Sequence, residues 1–545
     1  GFSPPTNAHS IPSNPSRAVQ FSVNGTSRSN NNTRIDGASS TNLWLPHMVA
    51  YVPALESIET VNVVTNSFDA EQGLAGGAAI NVQIKSGTNQ VHGSAFEYHT
   101  NQHTKAYPWI SDRASAKPKF IYNQFGGTVG GPIRKDKVFF FTSYEGTREA
   151  ESSNKFVSVP TAEMRTGDLS ASPTPIFDPM TGNSLGAGRS PFPNNMIPLA
   201  RHDPAVRTII NDGRWPLPNI QGTGPFGLAR NYLGGAPVRF FRDTLDAKVN
   251  WNINDKLTSF ARFSYLDFRT RNPQIFGDFG GVFMHRTDSN PGRGWGNTYS
   301  GTLSATYVVS STFIVDGYFG YTLMDSNIEQ DNLDQNIGLD FLKIPGTNGT
   351  RPWEGGWPRL RIDGFEQLGI SNDFMPYYRT DPQRQWVVNG NWTKGNHNVR
   401  FGTDLYFQTL KHNQPQVGGS GGGGASGGFR VQQGTTQLRG GPAGNDFNSM
   451  GSFLLGLSRE SGRVVQFPDD GVTTRSGLYS LYLRDRWQLS PKTTVSYGVR
   501  WEYFPFPDRL DRGLEGYDLG SNQMLICGIG VVPRDCGIQV SRGGF

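Results

Sequence analysis

The 545-residue chain has no apolar run of about eighteen residues, so none of its helices can span a bilayer. That absence does not exclude membrane-crossing strands, because a barrel strand needs only one apolar face. Charged residues are also scarce, at 17% where about a quarter is usual in a soluble chain. Nowhere does the apolar period of an amphipathic helix recur over successive segments, which argues against a mixed α/β enzyme of this length. The net charge is only +5, and the 50 basic residues are scattered rather than gathered into a stripe, so a nucleic-acid partner is not indicated. Cysteine is almost missing: Cys527 and Cys536 lie nine positions apart in a glycine-rich tail. A disulfide in an oxidising compartment and two unpaired thiols both stay open for them.

Catalytic constellations are equally thin. Gly418-Gly419-Ser420-Gly421-Gly422 satisfies G-x-S-x-G, but it sits inside a low-complexity glycine run with no strand before it and no helix after it. No G-K-[ST] follows to make a phosphate cradle. His99 and His103 are four apart where a strand runs out into a loop, not on a helix face. Asp325, Glu329, Asp331, Asp334 and Asp340 share one loop without EF-hand spacing. The expectation is therefore no enzyme, no cofactor and no metal.

What is present is glycine, 68 residues, and aromatic side chains, 12% of the chain, the composition of strands and irregular loops. The mean hydropathy of -0.47 does not count against a membrane barrel, whose lumen and loops are polar. From Val91 onward, strand pairs joined by tight turns alternate with long loops. The tight turns are expected at Pro132 to Asp136, Asn252 to Asp255, Ser310 to Ser311, Lys394 to Asn396 and Ser490 to Lys492. The long loops are expected at about 101–119, 148–238, 269–296, 325–383, 410–475 and 505–545. Short turns on one rim and long loops on the other describe an outer-membrane barrel.

The strands alternate with period two: Val495, Tyr497, Val499, Trp501 and Tyr503 stand against Ser496, Gly498, Arg500 and Glu502. Charge at every second position is tolerable toward a watery lumen and not toward lipid. This places Lys248, Arg400, Asp404, Arg484, Arg486, Arg500 and Glu502 in the lumen. Trp251, Trp392 and Trp487, near the short turns, suit an interface girdle or ordinary cross-strand packing. The count from Val91 is roughly eleven strands of about nine to fourteen residues; an odd number cannot close a bacterial single-chain barrel.

Before the first of these strands, Ile58-Glu59-Thr60-Val61-Asn62-Val63 reads as a strand, followed by a glycine-rich passage and Gly76-Gly77-Ala78-Ala79-Ile80-Asn81-Val82-Gln83-Ile84-Lys85. This pair resembles the plug of TonB-dependent outer-membrane receptors. The continuation through Val91–Tyr98, Asn123–Ile133 and Lys137–Phe141 looks like the Oar-like subgroup. The resemblance implies an all-β fold, a transmembrane antiparallel β-barrel preceded by a small plug. It divides the chain into a lead-in at 1–18, a plug at 19–89 and barrel at 90–545. The absence of a charged and apolar leader behind Gly1, together with the odd strand count, leads to the expectation of a fragment holding roughly the first half of the barrel. Terminal Phe545, with no alternation before it, is read as chance.

By the same resemblance the function expected is energised uptake of an external ligand, with the TonB energy-transducing complex as periplasmic partner and outer-membrane lipid around the wall. Trp44 and His47 at the plug apex and Trp353 and Trp357 in an external loop are candidate ligand contacts, aromatic rings that could stack on a saccharide or other large polar nutrient. The packing of these aromatics into the plug or loop core is the competing account. Two further readings are an adhesion or surface-organising protein on the same barrel, and a soluble extracellular β-rich carbohydrate-binding protein.

Overall fold

A computed structural model describes the chain except residues 1–5, 8–10, 67, 74–75, 107–116, 286–289, 372–374, 416–422, 467–470, 511–515, 521 and 526–545. Cys527 and Cys536 lie outside the described residues.

The period-two stretches form one antiparallel sheet of twelve strands, eleven of them long and joined in sequence order. They run His92–Asn101, Phe120–Arg134, Val138–Val157, Tyr232–Asn254, Leu257–Asn272, Gly292–Ser310, Phe313–Glu329, Tyr377–Lys394, His397–Asn413, Val472–Ser490 and Thr493–Tyr503. The fold is all-β, as the alternation predicts. The tight turns fall where expected: Asp136 takes a φ of 63° between Arg134 and Val138, and Gly395 a φ of 56° between Lys394 and His397. A left-handed backbone there fits glycine or a small polar residue.

The strands are longer than the sequence suggests, from 10 to 23 residues. The expected 148–238 loop loses its ends to Val138–Val157 and Tyr232–Asn254, which stay in register from Trp251↔Val138 to Tyr232↔Val157. Beyond the lipid belt neither face of a strand must be apolar, so the ladder continues after the alternation fades.

The two faces are separated in each strand. On Tyr232–Asn254 the side chains of Val238, Phe240, Thr244, Asp246 and Lys248 are buried inward, whereas Leu245, Val249 and Trp251 are exposed outward. Leu303, Leu481, Leu483, Val499 and Trp501 continue the exposed apolar outer face.

Inside the curve sits a four-stranded sheet built from Asn32–Ile35, Ala38–Ser39, Ile58–Val64 and Ala79–Ile84. Ala79–Ile84 is its centre, parallel to Asn32–Ile35 and antiparallel to Ile58–Val64. Ile35, Tyr51, Val82 and Ile84 share one apolar cluster with Phe141, Phe240, Leu266 and Phe268 of the wall. At Gly320 the wall comes close to the small sheet: a Cβ there would lie 2.6 Å from the Ala38 Cβ. Only glycine admits so close a backbone approach.

At the other end the long loops do not splay. They fold together around Trp215, Phe279, Met284, Trp357, Leu360, Met450 and Phe453, one apolar cluster drawn from the segments between four pairs of strand ends. Three short α-helices, Ala162–Thr166, Pro204–Asn211 and Asp446–Leu454, belong to this cap, as does a three-stranded sheet of Arg359–Ile362, Gly428–Val431 and Glu460–Gly462. Thr161, Asp203 and Asn445 cap the helices with side-chain oxygens.

Candidate functional site

The contact between the small sheet and the wall is where charge concentrates. Asp36 sits in the two-residue turn after Asn32–Ile35, with φ of 46° beside Gly37 at 92°. Its Oδ1 accepts from Lys248 Nζ at 2.9 Å, and Arg262 Nε lies 3.5 Å from Oδ2. Lys248 also donates to the Ile84 carbonyl at 3.0 Å. Next to it, the Tyr51 hydroxyl donates to Asp246 Oδ1 at 2.7 Å, and Ser264 Oγ to the same oxygen at 2.6 Å. Burial, and then the Asp246 carboxylate, hold the Tyr51 phenol well above its usual range, so it stays a neutral donor. Arg262 is spread over Ser264, Ser300 and Thr302, which leaves its charge buried and answered.

A second centre forms on Asp404. Arg34 reaches it at 3.2 Å, Gln385 donates to it at 2.8 Å, and Arg500 stands 3.8 Å away. Arg400 bridges Glu71 of the small unit and Asp316 of the wall, the latter at 3.1 Å. Asp69 takes Arg484 at 3.1 Å and Arg486 at 3.3 Å. Arg500 donates to the Ala70 carbonyl at 3.3 Å and to Glu502 at 2.6 Å. Lys248, Arg400, Asp404, Arg484, Arg486, Arg500 and Glu502 thus all lie on the concave side, and five of them pair directly with the small unit. Sequence reasoning missed their partners Arg34, Asp36, Asp69 and Glu71. Charges flanking the two motif strands were the only signal.

A cavity of about 1140 Å³ lies between the two parts, lined by residues of these pairs. Glu56, Glu59, Asn81 and Lys85 line it from the small sheet, and Lys248, Asp316, Arg400 and Asp404 from the wall. The motif residues divide accordingly. Val82 is buried, Ile58 and Ile80 pack on the shared apolar cluster, and Val61 and Val63 stay exposed on the edge strand. Gly76 and Gly77 present their N–H groups to the Asn30 carbonyl at 2.9 Å. A Cβ on Gly77 would meet Thr26 Oγ1 at 2.6 Å.

The candidate ligand contacts do not converge. Trp44 is 43% exposed and stacks on His412 at 4.1 Å, and His47 lines a small neighbouring recess. Trp353 and Trp357 are only 5% and 2% exposed. Trp357 belongs to the cap core, edge-on to Phe279 at 4.7 Å. Loop packing therefore accounts for these two rings, and the reading of them as exposed stacking surfaces is corrected. Among the described residues, Glu149, Glu151 and His285 bring metal-type ligand atoms within 4.8 Å of one another. Arg17 already pairs with Glu149 at 2.8 Å, so this group carries its own cation.

Residues 83–545 match a family described as an outer membrane beta barrel domain. Over 128 residues, 23% of this chain, the sequence is 32% identical to the TonB-dependent transporter Oar of Myxococcus xanthus, covering 12% of that protein. The outer membrane transporter YddB of Escherichia coli superposes with a TM-score of 0.50 at 12% identity, over 90% of this chain and 50% of that one. The chain thus spans half or less of the length of these relatives.

Proposed function

The chain belongs to the outer membrane beta barrel domain family, and from that premise we propose that its small sheet is a plug and that the chain serves a TonB-dependent receptor in energised uptake. The location is the outer membrane, and the family is one of receptors and transporters rather than enzymes. The observation that carries the proposal is the interface itself. A small sheet is held inside a membrane wall by side-chain charge pairs on four strands, around a cavity of about 1140 Å³. Pairs of this kind hold a gate closed yet can be released one at a time by a pull from the periplasm, and the apolar contact beside them is confined to eight buried side chains. The partner is the TonB energy-transducing complex, and the ligand enters from the cap side. Burial of Trp353 and Trp357 removes the main support for a saccharide, so the ligand is proposed only as a polar solute larger than a porin passes.

The experiment places cysteines at Ala38 and Gly320 in the full-length protein, close enough to be bridged after a shift of about 1 Å. A third cysteine at buried Val82 reports plug opening through its reaction with a membrane-permeant maleimide. In energised cells Val82→Cys should react, and either a protonophore or the oxidised tether should stop it. Reaction that ignores both would sink the transport reading and favour a static anchor for adhesion.

The outer face makes its own prediction. Leu303 is 57% exposed within the apolar belt. Leu303→Arg is expected to destabilise the membrane-inserted form by about 2–4 kcal/mol, read from urea unfolding in bilayers. A change below about 0.5 kcal/mol would mean that this face does not meet lipid.

A further inference from the structure

The inner face of Tyr377–Lys394 carries a column of four buried polar side chains, Gln385, Gln383, Asp381 and Arg379, that climbs from the small sheet toward the cap. The lower two grip the small unit. Gln385 Oε1 accepts from the Ser39 amide at 2.8 Å, and Gln383 Nε2 donates to the Thr41 carbonyl at 2.7 Å. The upper two, Asp381 and Arg379, are 0% and 2% exposed, and there the pattern breaks. Both Asp381 carboxylate oxygens lack a hydrogen bond, as do Arg379 Nε and Nη1.

The neighbouring inner side chains are engaged elsewhere. Ser326, opposite Arg379, donates to the Pro12 carbonyl, and Met324, opposite Asp381, accepts from Asn42 Nδ2 at 3.7 Å. On the other side of Arg379, His412 carries the Trp44 ring, whose centroid also lies 5.9 Å from the Arg379 guanidinium. A buried charge without a partner forfeits its hydration, so such groups are as a rule paired. Here a cation and an anion stand two residues apart on one face, about 6.6 Å along the strand, and neither takes the other. A simple cation would suit Asp381 and be repelled by Arg379; a simple anion would meet the reverse. Only a group that bears both charges answers both residues.

We propose that Arg379 and Asp381 form a subsite for a free amino-acid head, ammonium and carboxylate on one carbon, at the leading end of the imported solute. Arg379 takes the carboxylate on its planar guanidinium, and Asp381 takes the ammonium. With a charge-assisted hydrogen bond of about 2.8 Å at each end, a zwitterion on one carbon spans a gap of this size. Charges at the two ends of a longer peptide overshoot it. Half-exposed Trp44 is the lid: entry parts its ring from His412 and lays it against the rest of the solute. This assignment rests on the uptake reading above and adds a substrate class to it.

The test titrates the full-length protein in detergent micelles with Nε-dansyl-L-lysine, a fluorescent probe whose amino-acid head is free. Its α-N-acetyl and α-carboxamide derivatives each lack one of the two charges. The free head should bind about tenfold more tightly than either derivative. Arg379→Gln should abolish the preference over the carboxamide, and Asp381→Asn the preference over the acetyl form. Arg384→Gln, exposed on the outer face of the same strand, should change neither. Equal binding of the three probes, a penalty from one derivative only, or no saturable binding by the unsubstituted protein would overturn the proposal without recourse to any variant. Labelling of Val82→Cys keeps this result apart from the uptake reading. If the probes bind alike while labelling still answers energisation, the subsite alone falls. If the free head is preferred while labelling ignores energisation, the subsite stands and uptake falls.

Discussion

Replacing Asp36 by alanine is expected to loosen the small sheet by about 3–5 kcal/mol while leaving the barrel strands paired. The magnitude follows from what Asp36 leaves behind. Lys248 and Arg262 are 6% and 3% exposed, and Asp36 is the carboxylate placed against both. Removing one partner of a buried pair strands the other charge, a penalty far larger than the net value of the pair. An exposed pair such as Arg214 with Asp212 in the cap should cost no more than about 1 kcal/mol when broken. Hydrogen exchange reads the difference: amides of Ala79–Ile84 should exchange roughly two to four orders of magnitude faster in Asp36→Ala. Adding Lys248→Met should recover part of the loss, because the stranded ammonium is then gone. Unchanged exchange would show that the apolar cluster around Phe240 and Phe268 alone holds the sheet.

Trp357→Ala is expected to cost the cap about 3–5 kcal/mol, the usual range for truncating a buried tryptophan. Its ring lies edge-on to Phe279 at 4.7 Å and to Phe341 at 6.2 Å, and its carbonyl accepts from Ser426 Oγ at 3.1 Å. The ring therefore joins its own loop to that of Phe279 and, through Arg214 5.5 Å over its face, to segment 158–231, within a core that draws on four loops. Its loss should expose segments 158–231 and 414–471 to limited proteolysis together, with the barrel strands still protected by their ladders. Cleavage of one loop alone would mean that the cap is a set of independent loops rather than a single folded unit.

Which face each strand buries is legible in the sequence, because a wall between lipid and a polar interior imposes alternation residue by residue. Tyr232–Asn254 shows this, with Thr244, Asp246 and Lys248 buried and Leu245, Val249 and Trp251 exposed, and the turns at Asp136 and Gly395 announce themselves by residue type. The extra length of Val138–Val157 and Tyr232–Asn254 is not legible, since Gly234, Gly235 and Pro237 read as loop although they continue the ladder. The cap is the larger omission. Its core takes Leu169 from one loop, Met284 from another, Trp357 from a third and Phe453 from a fourth, so no local period exists to find. That is why the sequence left open whether Trp353 and Trp357 meet a ligand or pack into a loop core. The partners of the inner charges were hidden for a similar reason: the pairing of Asp36 with Lys248 spans 212 positions.

The most direct test pulls on the chain. With the full-length protein in a supported bilayer and a force-probe handle at Gly1, retraction from the periplasmic side should first release the small sheet. That event should lengthen the tether by roughly 300 Å, about ninety residues at 3.4 Å each, before any barrel strand yields. A first rupture that carries barrel strands with it, or one that needs the same force as strand extraction, would contradict a plug held by separable charge pairs.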